Sequence, residues 1–129
     1  MKKLLLVVFA LFLGFTEAQA ISPFAKKPII REIILVKFKK NVTPAQMAAL
    51  NKLIKDLKSN TKTVDAVEWG KRIDYTGSTK DYDQCLVLKF KNDNDLEVFQ
   101  TNPVQLELMG KLIPITTKIL KFTYKTIKY

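Results

Sequence analysis

The segment from Arg31 to Lys39 limits the possible folds of this 129-residue chain more than any other. It is short, rich in β-branched and aromatic residues, and apolar at both odd and even positions from Ile33 to Val36. A strand with one face in water alternates apolar and polar residues, so this pattern predicts a strand that is covered on both faces. The helices of a small domain cover one face of its sheet, and we expect a second copy of the chain to cover the other.

The N-terminus has the pattern of a secretory signal peptide. It begins Met1-Lys2-Lys3, continues with an apolar run from Leu4 to Phe15, and reaches Ala18-Gln19-Ala20. A basic start, a short apolar stretch and an A-x-A end are typical of exported proteins. The apolar run is shorter than the roughly 18–20 residues that span a bilayer, so an uncleaved anchor is the less favoured alternative. We expect cleavage after Ala20, an extended lead-in over residues 21–30, one domain over residues 31–129, and a periplasmic or extracellular location.

The net charge of the chain indicates which classes of molecule it attracts. The chain has 22 basic and 12 acidic residues, and removal of Lys2, Lys3 and Glu17 with the leader leaves a charge of about +9. A lysine-rich surface that keeps the protein soluble is the favoured explanation, and weak association with anionic envelope polymers is the alternative. Arg31 and Arg72 are the only arginines, and phosphate recognition usually uses the bidentate arginine fork. We therefore expect no specific nucleic-acid binding.

Two features of the composition narrow the chemistry. The chain has no histidine, which removes His-based acid–base catalysis, Ser–His and Cys–His dyads and most zinc sites. Its single cysteine, Cys85, cannot form an intrachain disulfide. Cys85 lies in an apolar strand, where a free cysteine acts as a small hydrophobic residue; an intermolecular disulfide or a reactive thiol is the alternative. We expect neither a metal nor another cofactor.

Periodicity predicts the order β-α-β-β-α-β. Thr43-Pro44-Ala45-Gln46 combines a capping box with proline at the first helical position. The stripe that follows consists of Met47, Leu50, Ile54 and Leu57. Further strands are expected at 64–75, 82–91 and 119–125. Between the last two we expect a short helix carrying Leu96 and Phe99, a break at Asn102-Pro103, and a stripe of Leu106, Met109, Leu112 and Ile113. This order is that of the ferredoxin-like fold, which is an α+β fold.

The sequence of these elements and several of their residues resemble the stress-responsive α/β-barrel domain family. The resemblance is carried by Ile33 to Lys39, Trp69-Gly70-Lys71, Tyr82-Asp83, Leu86-Val87, Phe90, Asn102-Pro103, and Lys118 to Tyr124. It covers residues 31–126 and implies a four-stranded antiparallel sheet with helices on one face. It also implies that two such sheets pack face to face in a homodimeric barrel.

Some members of that family are small polyketide cyclases, whose pocket lies between sheet and helices. The resemblance implies histidines where this chain has Glu32 and Gln84, and a His-Pro-x-His run where it has Asn102-Pro103-Val104-Gln105. The tyrosines of cyclase-type pockets would fall at Ile54 and Phe99. Cyclase chemistry needs a positioned acid or base, so we expect a non-catalytic binding or structural module, for which a small apolar molecule is the candidate ligand.

Strand parity assigns the candidate residues to two faces. Parity places the ligand-pocket candidates Glu32, Ile34, Val36, Gln84 and Leu86 on the face toward the helices. Trp69 is a further candidate as core or pocket wall, and the family resemblance adds Ile54, Phe99 and Gln105. The dimer-interface candidates, on the opposite face, are Ile33, Leu35, Cys85, Val87, Leu120, Phe122 and Tyr124. A patch of that size is unusual on a soluble monomer. Lys37 and Lys89 share this second face, and we expect them to extend their ammonium groups into water at the barrel mouth.

Glu32 carries the enzymatic alternative, a cyclase-like or monooxygenase-like enzyme that uses this carboxylate as its base. Taking the first and third strands as parallel neighbours, we expect Glu32 and Gln84 to meet at one end of the sheet, with Lys121 leaning toward Glu32. The favoured interpretation is a Glu–Gln–Lys hydrogen-bonded rim that closes the core, since one carboxylate without a partnering acid is weak support for catalysis.

Overall fold

The structure is a computed structural model that describes residues 27–127. The predicted signal peptide and the lead-in before Lys27 lie outside the described residues. Within residues 27–127, none of the helices is both long enough and apolar enough to span a bilayer.

Four strands form one antiparallel sheet, in which β2, β3, β1 and β4 are neighbours in that order. The strands are β1 (Ile30–Phe38), β2 (Ala66–Lys71), β3 (Gln84–Phe90) and β4 (Thr116–Lys125). Helices α1 (Pro44–Lys55) and α2 (Leu57–Thr61) connect β1 to β2. Helices α3 (Asp93–Gln100) and α4 (Pro103–Leu112), followed by a 3₁₀ turn (Ile113–Ile115), connect β3 to β4. The predicted ferredoxin-like β-α-β-β-α-β fold is confirmed.

The capping box at the start of α1 forms as its sequence predicts. The Thr43 hydroxyl accepts the Gln46 N–H at 3.1 Å, and the Gln46 side-chain oxygen accepts the Thr43 N–H at 3.0 Å. These two bonds satisfy N–H groups that otherwise have no partner at a helix start. The buried side chains Leu50, Ile54 and Leu57 then follow on the inner side, as predicted.

The core lies between the sheet and the helices. Alternate residues of β1 point into it, and Ile30, Glu32, Ile34 and Val36 are almost completely buried, whereas Arg31, Ile33 and Leu35 between them are only half-buried. β3 supplies Leu86, Leu88 and Phe90 from the same face, and the Phe90 ring lies 5.3 Å from that of Phe99 on α3. Each such side chain contributes about 1.5–3 kcal/mol by leaving water, so this layer provides most of the apolar stabilisation.

The predicted apolar stripe of the second helical region is confirmed at Leu112, which is buried, and at Met109, which packs against the core, but it is wrong at Leu106 and Ile113. Leu106 is 65 % exposed and Ile113 is 58 % exposed, while Leu108, Leu112 and Ile115 are buried. The buried residues follow one another at spacings of four and three, which is itself a valid helical stripe. Leu112 belongs to both sets, and the way the helix and the following 3₁₀ turn lie on the sheet buries Leu108 and Ile115 in place of Leu106 and Ile113.

The strand expected at 64–75 is shorter than predicted. β2 ends at Lys71 because the chain then enters a loop that is organised by Arg72. The Arg72 guanidinium donates hydrogen bonds to the backbone oxygens of Thr76, Thr79 and Tyr82. These bonds hold residues 72–83, here called the β2–β3 loop, in a fixed shape beside the sheet.

We predict that Thr43→Ala lowers the free energy of unfolding by about 1 kcal/mol, because it removes one half of the capping box. Thr43→Ser keeps the hydroxyl and is expected to stay within a few tenths of a kcal/mol of the wild type. Urea denaturation measures both variants. Equal destabilisation by alanine and serine would contradict the role of the hydroxyl.

Candidate functional site

Glu32 lies in the middle of the layer that faces the helices. In the sheet register it is opposite Leu88 on β3 and opposite Thr123 on β4. Its neighbours on the same face of β1, Ile30 and Ile34, are buried, and the Glu32 side chain itself is only 1 % exposed. A carboxylate in such surroundings has lost its water, a cost that a nearby cation or hydrogen-bond donor must offset.

Lys121 provides the one cation that contacts Glu32 within the described residues. Its Nζ lies 3.3 Å from Glu32 Oε1, which confirms the expected approach of the two side chains. Neither carboxylate oxygen accepts a hydrogen bond from the described residues, so the ammonium is close enough for an ion pair but not aligned as a donor. The Lys121 side chain is 37 % exposed. Of the two partners, the Glu32 carboxylate is buried, and only the Lys121 side chain reaches the solvent at the β4 edge.

The expectation that Glu32 and Gln84 lie together is wrong. β1 and β3 are antiparallel, and the register sets Glu32 opposite Leu88 and Gln84 opposite Val36. Four residues along the strand separate these two pairs, roughly 13 Å. In a split βαβ unit the inserted strand runs against its two neighbours, and β3 is the strand inserted between β1 and β2. The three-residue rim therefore does not form, and only the ion pair exists.

The other pocket candidates fall into two groups. The first group is buried in the core, with side chains that have too little accessible surface to line a water-sized cavity: Ile34, Val36, Ile54, Leu86 and Phe99. The second group, Trp69, Gln84 and Gln105, is half-buried. Trp69 packs against the core and donates its indole N–H to Asn51 Oδ1 at 2.9 Å, so it joins β2 to α1. A ligand pocket in this layer stays a prediction.

The seven interface candidates lie together on the other side of the sheet, here called the open face: Ile33, Leu35, Cys85, Val87, Leu120, Phe122 and Tyr124. The register pairs Ile33 with Val87 and Phe122, and it pairs Leu35 with Cys85 and Leu120. Phe122 is 62 % exposed and Leu120 is 48 % exposed. The rings of Phe122 and Tyr124 stack at 6.1 Å. The open face is a continuous apolar surface at the centre of the sheet.

A cleft of about 370 Å³ lies where the open face meets the β2–β3 loop. Its lining includes Leu35 and Cys85 from the sheet and Arg72 and Tyr82 from the loop. Burial raises the pKa of the Cys85 thiol, and the negative charge of Glu68 raises it further. The thiol is therefore protonated at neutral pH and is a weak nucleophile. Sequence patterns did not reveal this cleft, because its wall depends on the hydrogen bonds of Arg72.

Among residues 27–127 there is no group of three or more histidine, cysteine, aspartate or glutamate side chains that could hold a metal ion.

The family model of the Stress Responsive A/B Barrel Domain matches residues 30–125, from the first residue of β1 to the last of β4. The chain belongs to this family. No curated protein matches it significantly. The match spans every strand and helix of the structure, so the sheet, its helical layer and its open face are all parts of one A/B barrel domain.

Solved structures resemble this A/B barrel domain over most of its length. A hydroxynitrile lyase from Passiflora edulis has a TM-score of 0.70 at 17% identity, and the match covers 81% of this chain and 98% of that one. A Dabb-family protein with a ferredoxin-like fold from Mesorhizobium loti has a TM-score of 0.65 at 16% identity, over 78% and 99%. A dimeric ferredoxin-like protein of unknown function from Thermobifida fusca has a TM-score of 0.65 at 15% identity, over 81% and 96%. At these identities the likeness shows the fold alone.

We predict that Lys121→Met destabilises the A/B barrel domain by about 1–3 kcal/mol, because it leaves the buried Glu32 carboxylate without a cation. The matched control is Lys125→Met on the same face of β4, whose exposed pair with Asp93 at 2.8 Å is worth less than about 1 kcal/mol. Denaturant titration compares the two variants.

The double variant Glu32→Leu/Lys121→Met is expected to recover the lost stability, because a packed apolar pair replaces a buried ion pair at little or no cost. A double variant as unstable as Lys121→Met alone would show that the carboxylate is not the source of the effect.

Proposed function

We propose that this domain is a homodimer formed through its open face, and that it acts as a binding or structural module without catalysis of its own. The observation that supports this is the contrast between the two faces of the sheet. The face toward the helices is closed around Glu32, whereas the opposite face leaves a continuous apolar surface in solvent.

The geometry of the helix side argues against catalysis. A general base must come within hydrogen-bond reach of the proton that it removes. The Glu32 carboxylate is 1 % exposed, lies opposite Leu88 and is paired with Lys121. A substrate would have to displace the Lys121 side chain or core side chains to reach it. The fold itself does not decide whether this domain is an enzyme, because the Passiflora edulis neighbour with this fold is a hydroxynitrile lyase.

The chemistry of the open face argues for self-association. Its apolar centre is bordered at one end by Arg31 and Lys89 and at the other by Lys37 and Lys118, each set being neighbours in the register. An apolar centre with a charged rim is the usual composition of a protein interface. The Thermobifida fusca neighbour is described as dimeric, which supports the same arrangement here.

The cleft beside Leu35 and Cys85 is the favoured location for a small apolar ligand. It adjoins the apolar surface of the open face, and in the proposed dimer it would lie at the mouth of the barrel. Export by residues 1–20 remains part of the proposal, and its support is the leader pattern of the sequence.

We predict that Phe122→Lys converts the dimer into a monomer, because it sets a charge in the middle of the apolar surface. The matched control is Leu106→Lys on α4, since Leu106 is similarly exposed, at 65 % against 62 % for Phe122, but lies away from the open face. Sedimentation velocity at micromolar concentration is the measurement. A wild-type protein that sediments as a monomer, or a control that dissociates as readily, would overturn the proposed interface.

Alkylation of Cys85 gives a second test of the same surface. We expect iodoacetamide to react slowly with the wild type, faster with Phe122→Lys, and at the wild-type rate with Leu106→Lys. In the monomeric variant the pH of half-maximal rate should still lie above that of a free cysteine, because burial within the subunit and Glu68 both raise the pKa of the thiol. Equal rates in all three proteins would mean that the open face is not covered.

The non-catalytic part of the proposal is tested with Glu32→Gln. Neither the wild type nor this variant is expected to turn over a panel of aromatic polyketide-like substrates. Turnover by the wild type that disappears in Glu32→Gln would establish the enzymatic alternative and reject the module.

A further inference from the structure

Four exposed lysines, here called the lysine ridge, follow the outer side of α1 and α2: Lys52, Lys55, Lys58 and Lys62. The spacing of three residues brings Lys52, Lys55 and Lys58 onto one side of the helix, and Lys62 is the residue that follows α2, with a left-handed φ of 58°. The hydrogen-bond pattern of a helix continues across the junction, because Asp56 N–H donates to the Lys52 oxygen and Asn60 N–H donates to the Asp56 oxygen. The ridge is therefore continuous over roughly 15 Å.

The ridge concentrates positive charge that other parts of the domain do not neutralise. Within residues 27–127, the ion pairs involve Lys89, Lys91, Lys118, Lys121 and Lys125, and none of the four ridge lysines. Like charges three or four residues apart on a helix repel each other. The helix dipole favours cations in the last turns of α1 and α2, which accounts for the positions of Lys52, Lys55 and Lys58.

A cleft of about 320 Å³ lies at the end of the ridge. Lys58 and Lys62 line it together with Lys91 and the side chain of Thr63. The Thr63 hydroxyl has no hydrogen-bond partner among the described residues, and because it is buried it can donate to a bound group only after its side chain turns toward the cleft.

The charge around the cleft is positive despite two acids in its wall. Asp65 is already engaged, with carboxylate oxygens 3.5 Å from Lys89 Nζ and 3.6 Å from Lys91 Nζ. Asp95 is the second acid, and it lies in the first turn of α3. The cleft wall has three lysines, Lys58, Lys62 and Lys91, against two aspartates, so its formal charge is +1. An anion is therefore the ligand that this wall attracts.

We propose that the lysine ridge and its cleft bind a linear, soluble polyanion of phosphate groups. One phosphate lies in the cleft, where it contacts Lys58 and Lys62 and accepts a hydrogen bond from the Thr63 hydroxyl once that side chain has turned toward it. The following groups lie along the ridge toward Lys52, each facing an ammonium group as a point charge. A membrane surface fits this ridge less well, because the large exposed apolar residues of the described chain all lie outside α1 and α2.

Inorganic tripolyphosphate is the probe, and isothermal titration calorimetry at low and moderate salt is the measurement. We expect binding that weakens as salt screens the charges. Lys58→Gln/Lys62→Gln is expected to weaken it roughly fivefold or more. The matched control Lys39→Gln/Lys40→Gln, which changes the net charge equally on the β1–α1 loop, is expected to bind like the wild type.

A separate variant, Thr63→Val, tests the Thr63 hydroxyl, because it removes this group with little change in the shape of the side chain and none in its charge. We expect this variant to fold as stably as the wild type and to bind tripolyphosphate roughly tenfold more weakly, with Thr63→Ser restoring the affinity. The absence of binding, equal losses in the ridge and control variants, or wild-type affinity of Thr63→Val would each overturn the proposed site. So would ridge-dependent binding to vesicles of anionic phospholipid without binding to tripolyphosphate.

Discussion

The apolar character of both faces of β1 is the constraint on which the rest of the structure depends. This strand lies between β3 and β4, so its side chains lie in the interior of the sheet on both faces. The helical connections bury the side that carries Ile34 and Val36. Because residues 27–127 provide only these helices, the side that carries Ile33 and Leu35 is left open by them. The burial that completes the subunit therefore leaves an apolar surface that favours a partner.

The same strand also determines what Glu32 can do. Its side chain occupies a core position between apolar neighbours, where an acid is stable only beside a cation. Lys121 reaches it from the edge strand, which leaves the charge balanced but removes the carboxylate from solvent. A catalytic base needs the opposite arrangement, with an open approach and a substrate in reach. The position is therefore better explained as a buried ion pair than as the remnant of an active site.

Local patterns predicted the parts of the fold that depend on neighbouring residues. The two-residue period of a strand fixed the faces of Ile33 and Ile34, and the capping box at Thr43 fixed the start of α1, because both follow from backbone geometry. Relations between distant segments were less predictable. The direction of β3, which separates Gln84 from Glu32, depends on topology, and the stripe of α4 depends on how the helix lies on the sheet. The cleft under the β2–β3 loop had no sequence signal, because hydrogen bonds to backbone oxygens are not residue-specific.

The two proposed binding surfaces lie on different sides of the domain, and this has a consequence for the dimer. The open face is on the sheet, whereas the lysine ridge is on the outer side of the helices that cover the opposite face. Pairing through the sheets therefore leaves both ridges exposed, related by the two-fold axis of the dimer. A long polyanion that binds one ridge raises its own effective concentration at the second wherever the chain spans the distance. Dimerisation would then strengthen polyanion binding without any direct contact between the two surfaces, since it doubles the number of ridges on one particle.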